Sequence, residues 1–325
     1  MPALRTWSHR GAISALAWLV MAVAAIAGEY PERMIQVIVP FGPGTGTDAV
    51  ARQIFGDIAK RTGQTMVVDN KAGADGQLGA QAAALAKPDG YTVFVTTQTT
   101  QAYNANAYKT LPYDPVRSFA PVTTITMSPL LLVVRDDLPA RTVTELVALA
   151  KAAPGTLTFG SGNGSSRGAG ELFRMMSGVD MLNVPYKSQT QAIVDLMGGR
   201  IDISFTDVVT GLPALQSGKV RALATTGLER IATLADIPTV AEAGLPGYEL
   251  NAWAAVYMPA GTPAAIVERL NTLVHQAVKS DAYQEHLRQS GAKAFIGSPE
   301  ELAAFQSSET ARWAKIIHGA GMQQQ

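Results

Sequence analysis

Beyond residue 30 the chain alternates short aliphatic and β-branched runs with longer stretches whose apolar positions recur every three or four residues. A strand covered on both faces reads as a continuous apolar run, whereas the helix that covers it shows a single apolar stripe. Their alternation predicts an α/β architecture with a largely parallel sheet. In the first series the pattern predicts strands over 34–39, 66–68 and 92–97, with helices over 48–61 and 76–86 between them. Val50, Ile54 and Ile58 share one face of the first helix, and the turn Pro88-Asp89-Gly90 leads into the third strand.

A second series starts at Leu130, with strands over 130–134, 157–159, 182–184 and 203–205. Thr142 and Glu145 have capping-box spacing for a helix that stops before Pro154-Gly155. Further helices are expected over 166–177 and 189–197, the latter closed by Gly198-Gly199. Residues 236–261 are rich in Pro and Gly, and helical periods over 263–279 and 298–317 finish the chain. Ser298-Pro299-Glu300-Glu301 is a start signal for the last helix. With one short strand near Ala294 and otherwise helices, this tail is too poor in strands for a third lobe and is expected to return to the first. The expected fold class is therefore α/β with two lobes hinged about an interlobe cleft, lobe 1 being residues 28–128 with 250–325 and lobe 2 residues 129–249.

Residues 1–27 have the layout of a secretory signal: Arg5, His9 and Arg10, an apolar stretch over 12–25, then Ala25-Ile26-Ala27 before Gly28. The apolar run is shorter than the roughly 20 residues that span a bilayer, so cleavage after Ala27 is expected instead of a membrane anchor. The full chain has 26 basic and 26 acidic side chains; losing Arg5 and Arg10 leaves 24 against 26, a net charge of −2. That balance offers no field for a polyanion, and no nucleic-acid partner is expected. The chain has no cysteine, which removes disulfides, thiolate metal sites and a cysteine nucleophile and suits an oxidising compartment. The four histidines show no metal-binding spacing, and no metal or cofactor is expected.

Candidate chemistry lies in loops that follow strands, where open α/β sheets bind ligands. Gly44, Thr45, Gly46, Thr47 and Asp48 form a glycine loop at a helix start, a ready seat for an anion. It lacks the lysine of a P-loop and the glycine spacing of a dinucleotide fingerprint. Gly162, Asn163, Gly164, Ser165, Ser166 and Arg167 form a second such loop. Gly164 to Gly168 also fits G-x-S-x-G, but Ser166 lies several residues beyond its strand, on the first helical turn, where a nucleophile elbow is not built. Thr97, Gln98, Thr99 and Thr100 offer uncharged donors after the third strand, and Tyr186, Lys187 and Asp207 follow strands of the second series. Trp253 and Tyr257 are candidates for packing on a ligand or in the core.

At these residues the chain resembles the solute-binding proteins of tripartite tricarboxylate transporters, the Bug family. The likeness runs through Val39-Pro40-Phe41 with Thr47-Asp48, Lys87-Pro88-Asp89-Gly90-Tyr91, Leu111-Pro112-Tyr113-Asp114 and Gly162-Asn163-Gly164-Ser165. It continues with Val184-Pro185-Tyr186-Lys187, Asp195-Leu196-Met197-Gly198-Gly199, Pro246-Gly247-Tyr248 and Pro259-Ala260-Gly261-Thr262-Pro263. The resemblance implies a periplasmic, Venus-flytrap (type II-like) protein, monomeric and non-catalytic, that binds a small organic carboxylate and delivers it to a membrane permease. Thr45, Arg167 and Ser188 depart from the family's usual glycine, histidine and glycine; Arg167 in particular is expected to add a fixed charge favouring a dianion. Two other readings of the residues are an exported serine hydrolase using Ser166 and a sensor that signals to a membrane kinase.

Overall fold

The structure is a computed structural model and describes residues 30–324; the signal segment read at 1–27 lies outside the described residues. The first series forms β1 (Ile35–Val39), α1 (Gly46–Thr62), β2 (Met66–Asn70), α2 (Gln77–Ala84) and β3 (Thr92–Thr97). β1 lies between β2 and β3, parallel to both. A π-helical turn, Thr99–Tyr103, runs straight into the one-turn α3 (Asn104–Ala107).

Next comes β4 (Phe119–Arg135), a strand of 17 residues of which only the far end, 130–134, has a strand-like sequence. Its nearer part contains Pro121, Pro129 and four Thr or Ser residues, which hide the apolar run. It is followed by α4 (Val143–Ala152), β5 (Thr158–Ser161), α5 (Gly164–Ser177), β6 (Leu182–Pro185), α6 (Gln189–Met197) and β7 (Ile203–Asp207). Thr142 caps α4 by accepting from Glu145 N, while the Glu145 carboxylate accepts from Arg141 N. α7 (Val208–Gln216) and β8 (Val220–Thr225) complete the second series. The sequence pattern does not show α7, because Gly211 and Pro213 interrupt its period.

The Pro- and Gly-rich stretch 236–261 requires correction. It contains β9 (Asn251–Pro259), which pairs antiparallel with both β3 and β4. The tail then forms α8 (Ala264–Val278), α9 (Asp281–Ser290), β10 (Lys293–Ala294) and α10 (Pro299–Gly319). The strand order is β2-β1-β3-β9-β4-β7-β5-β6, with β8 and β10 also on β4.

β4 joins the two lobes. Residues 119–129 pair with β9, and residues 130–135 pair with β7 and β8. The change of partner falls at Pro129, which has no N–H to give a ladder. Register shifts on either side of it bend the strand. The lobes meet closely beside this crossing: a Cβ at Gly164 of α5 would fall 2.4 Å from the Tyr103 ring, so glycine is needed for the approach.

Leu131, Leu132, Val133 and Val134 are wholly buried in this shared strand. Leu132→Ala is expected to destabilise the protein by about 2–5 kcal/mol. Leu85→Ala, at a side chain 78% exposed, should stay within about 0.5 kcal/mol. Urea unfolding of the two variants checks the contrast.

Candidate functional site: an interlobe cavity

A cavity of about 80 Å³ lies where the two lobes meet, well above the roughly 10–15 Å³ needed to admit a water. Its floor follows from strand periodicity: Thr126, Ser128 and Leu130 are alternate residues of β4, and Ala252 and Ala254 are their neighbours on β9. Small side chains on this face leave the space open. Trp253 also borders it, with its indole N–H bonded to Glu309 at 3.0 Å and its ring against Phe305. Tyr257 instead lies in the core, its hydroxyl on Gln306.

From the β1–α1 loop, Gly46, Thr47 and Val50 form the wall. Thr45 is the N-cap of α1; its hydroxyl donates to Gly42 O at 2.9 Å and faces Asp48 N, so its side chain is folded into the loop and off the wall. Gly44 takes φ +79 and gives its N–H to Asp48. The Asp48 carboxylate also accepts from Arg52 and Asn70. Burial works to raise its pKa, but those hydrogen bonds outweigh it and hold the group below the usual carboxylate range. Gly44, Thr45 and Asp48 therefore shape the loop that presents Gly46 and Thr47.

At the end of β3 only Thr97 reaches the cavity. Thr99 and Thr100 are buried behind it in the π-helical turn. Gln98 links the lobes: Nε2 donates to Ser165 Oγ and Oε1 accepts from Trp253 N, each at 2.8 Å.

From the second lobe, Asn163, Ser165 and Ser166 line the cavity. Asn163 and Ser166 form a capping box for α5. The Ser166 hydroxyl accepts from Gly162 N and Asn163 N and donates to Asn163 O at 2.9 Å. Its proton is thus committed to the backbone. His286 and Asp207 border the same cavity, but no hydrogen bond among the described residues joins Ser166, His286 and Asp207, and a nucleophile needs that link to its base. Gly162 and Gly164 lie behind the wall, where Gly162 N also meets Gln189. Arg167 points away from the cavity: its charge acts on Asp75, Tyr103, Tyr108 and Glu171, and its Nε is buried without a partner.

Of the remaining expected residues, Asp207 borders the cavity while Tyr186 and Lys187 do not. Tyr186 bonds Asp195 at 3.0 Å, and Lys187 is exposed. Sequence reasoning missed Gln189, which is buried and ties α6 to Gly162, Ser204 and Phe205. It read His286 only as a residue of the helical tail; α9 carries that residue, with Ser290, to the wall. Only the fold brings these together, since no local spacing links them.

A family model described as the tripartite tricarboxylate transporter family receptor matches residues 50–322. The chain belongs to that family. BugT of Bordetella pertussis is 33% identical to this receptor over 93% of each chain. The R. palustris Rpa4515 structure with adipate superposes with a TM-score of 0.87 at 37% identity, covering 90% of the receptor and 98% of that chain. MatC of Rhodopseudomonas palustris, with bound malate, gives 0.83 at 32% identity, covering 89% and 100%. The periplasmic binding protein BugD gives 0.86 at 32% identity, covering 91% and 100%, and the fold of the receptor is that of the two-lobe periplasmic binding proteins.

Among the described residues no lysine or arginine lines the receptor's cavity; its ionisable groups are Asp207 and His286. Asp207 caps α7 through Thr210 N and the Thr210 hydroxyl, each at 2.8 Å. It also faces the start of α1, so closely that a Cβ on Gly46 would fall 2.9 Å from its Oδ1. Burial pushes the Asp207 carboxyl above the usual carboxylate range, against the pull of Thr210 and the Gly46 N–H. A raised carboxyl pKa means that the folded receptor holds a proton the unfolded chain has lost. This contribution to stability is therefore present at low pH and declines as pH rises from the ordinary carboxylate range through the raised value. Asp207→Asn keeps a capping side chain and removes the titration. The difference in unfolding free energy between variant and wild type should move in the variant's favour from pH 4 to pH 8, measured by denaturant titration at each pH.

Proposed function

We propose that this receptor is a non-catalytic periplasmic protein whose lobes close on a small organic carboxylate and present it to a membrane permease of the tripartite tricarboxylate type. The observation that carries this reading is the convergence of three helix starts, α1, α5 and α7, on one cavity that no lysine or arginine lines among the described residues. First-turn amides have no intrahelical acceptor, and Thr47, Ser165, Val208 and Val209 are first-turn residues at the wall. A carboxylate at such a helix start gains about 0.3–1 kcal/mol, and up to about 2 when partly buried. Micromolar affinity requires about 8 kcal/mol, so several amides, the hydroxyls of Thr97 and Ser128, and exclusion of water on closure must act together. The adipate- and malate-bound relatives support a dicarboxylate of similar size.

The accompanying organisation is a signal at 1–27 removed on export, one lobe of 28–128 with 250–325, another of 129–249, and a monomer in solution. The pairing of β4 with β9 before Pro129 and with β7 and β8 after it supports that division.

A thermal-shift screen of the mature protein against mono-, di- and tricarboxylates tests the reading. A ligand at 100 times its dissociation constant adds about 2.7 kcal/mol of stability, so at least one acid should raise the melting temperature clearly. A flat response across the panel would overturn the assignment. Incubation with a panel of esters is expected to show no turnover that Ser166→Ala abolishes; such turnover would restore the hydrolase reading.

A further inference from the structure

The amides account for one acidic group on a ligand, but α9 brings a different chemistry to the same cavity. His286 is the one imidazole that lines it among the described residues. Its only ring neighbour is Tyr283 of the same helix, at 5.6 Å between centroids, and neither ring nitrogen makes a hydrogen bond to a described residue. Two nitrogen donors of a protonated imidazole thus stand at the wall without a protein acceptor. Resting on the carboxylate reading above, we propose that His286 is a specificity-determining residue, taking up a proton as a dicarboxylate binds and pairing its imidazolium with the ligand's second carboxylate.

The register of the shared strand gives this residue its place. Along β4, Asp207 stands opposite Leu130, and Ala294 and Lys293 of β10 stand opposite Thr126 and Met127. α9 leads into β10 through Gly291 and Ala292, so His286, Ser290 and Ala292 belong to the wall on the β10 side, while α7 starts from the Asp207 side. A ligand lying along Thr126, Ser128 and Leu130 has both the first-turn residues and the imidazole on the wall around it.

Partial burial lowers the pKa of His286, and the nearby Asp207 charge acts in the opposite direction. α1, α8, β10 and the one-turn 3₁₀ helix Ala232–Leu234 pack on α9, and Asp207 is the one charged group acting on the ring. At neutral pH the unliganded imidazole is therefore mainly neutral. A carboxylate beside it favours the charged form, so proton uptake and binding are linked. A monocarboxylate satisfied by the amides alone has no such coupling to His286. Arginine at this position would bind a second carboxylate at any pH in this range; histidine makes the preference depend on pH.

The test is isothermal titration of the mature protein with adipate and with hexanoate, at pH 6 and pH 8 and in buffers of different ionisation enthalpy, for wild type and His286→Gln. Adipate is expected to bind wild type at least tenfold more tightly at pH 6 than at pH 8, with net proton uptake at pH 7.5, while hexanoate shows only the smaller effect that Asp207, on the same wall, gives any bound anion. His286→Gln should reduce the pH dependence and the proton uptake for adipate to those of hexanoate and keep hexanoate affinity. A ring-proton NMR titration of the wild type, with the His286 resonance identified by its absence from the variant, should show the imidazole pKa rising when adipate is added. Adipate binding whose pH dependence in His286→Gln still exceeds that of hexanoate, or a His286 resonance indifferent to adipate, would overturn this role and leave the carboxylate reading intact. Failure of every acid to bind wild type would overturn both.

Discussion

The first turn of a helix has N–H groups with no acceptor in their own helix, and a folded chain must either leave them to solvent or give them a partner. Here the first turns of three helices border one cavity between two lobes. An acceptor with negative charge answers that constraint best, because each amide carries part of the helix dipole. Asp207 meets part of the demand from within the protein, capping α7 while facing the start of α1. Its raised pKa is the counterpart: dipoles alone do not fully compensate for taking a carboxylate out of water.

The absence of lysine and arginine from the wall of the cavity, among the described residues, bears on release as well as on binding. A buried ion pair with a fixed cation is costly to assemble and costly to break. Amides and hydroxyls spread the interaction over many weaker contacts, most of which need both lobes in place. Opening removes them together, which suits a receptor that must surrender its cargo. Gln98 belongs to the same logic: one amide side chain holds Ser165 of the second lobe and the backbone of Trp253 in β9. The basic residue that the sequence placed nearest the site, Arg167, is turned to Asp75 and Glu171.

The glycine loop and the Asn163 loop were legible because each carries a local signal: a strand, a run of small residues, a capping side chain and a helix start. Asp207 was legible for a similar reason, as the polar residue ending a strand. Those signals did not separate residues that face the cavity from those that build the loop. Thr45 and Asp48 differ from Thr47 by one or two positions, yet their side chains bond inward while Thr47 borders the space. Helical and turn geometry makes that division, and it depends on where the next element packs.

Sequence periodicity by itself determined the two α/β series, most of their helices and strands, and the family likeness, because burial on a sheet or beneath a helix leaves a repeat of fixed period. Tertiary structure alone decided the rest. The nearer part of the 17-residue β4 contains prolines and hydroxyl residues that erase a strand's signature, and it becomes a strand only when the neighbouring ladders accept its amides; the apolar run 252–258 of β9 is hidden only by its alanines and its Pro- and Gly-rich flank. His286 lies some 80 residues from Asp207 and belongs to an ordinary amphipathic helix. Its place beside the cavity exists only once the tail has folded back along β4, a long-range arrangement that leaves no local pattern.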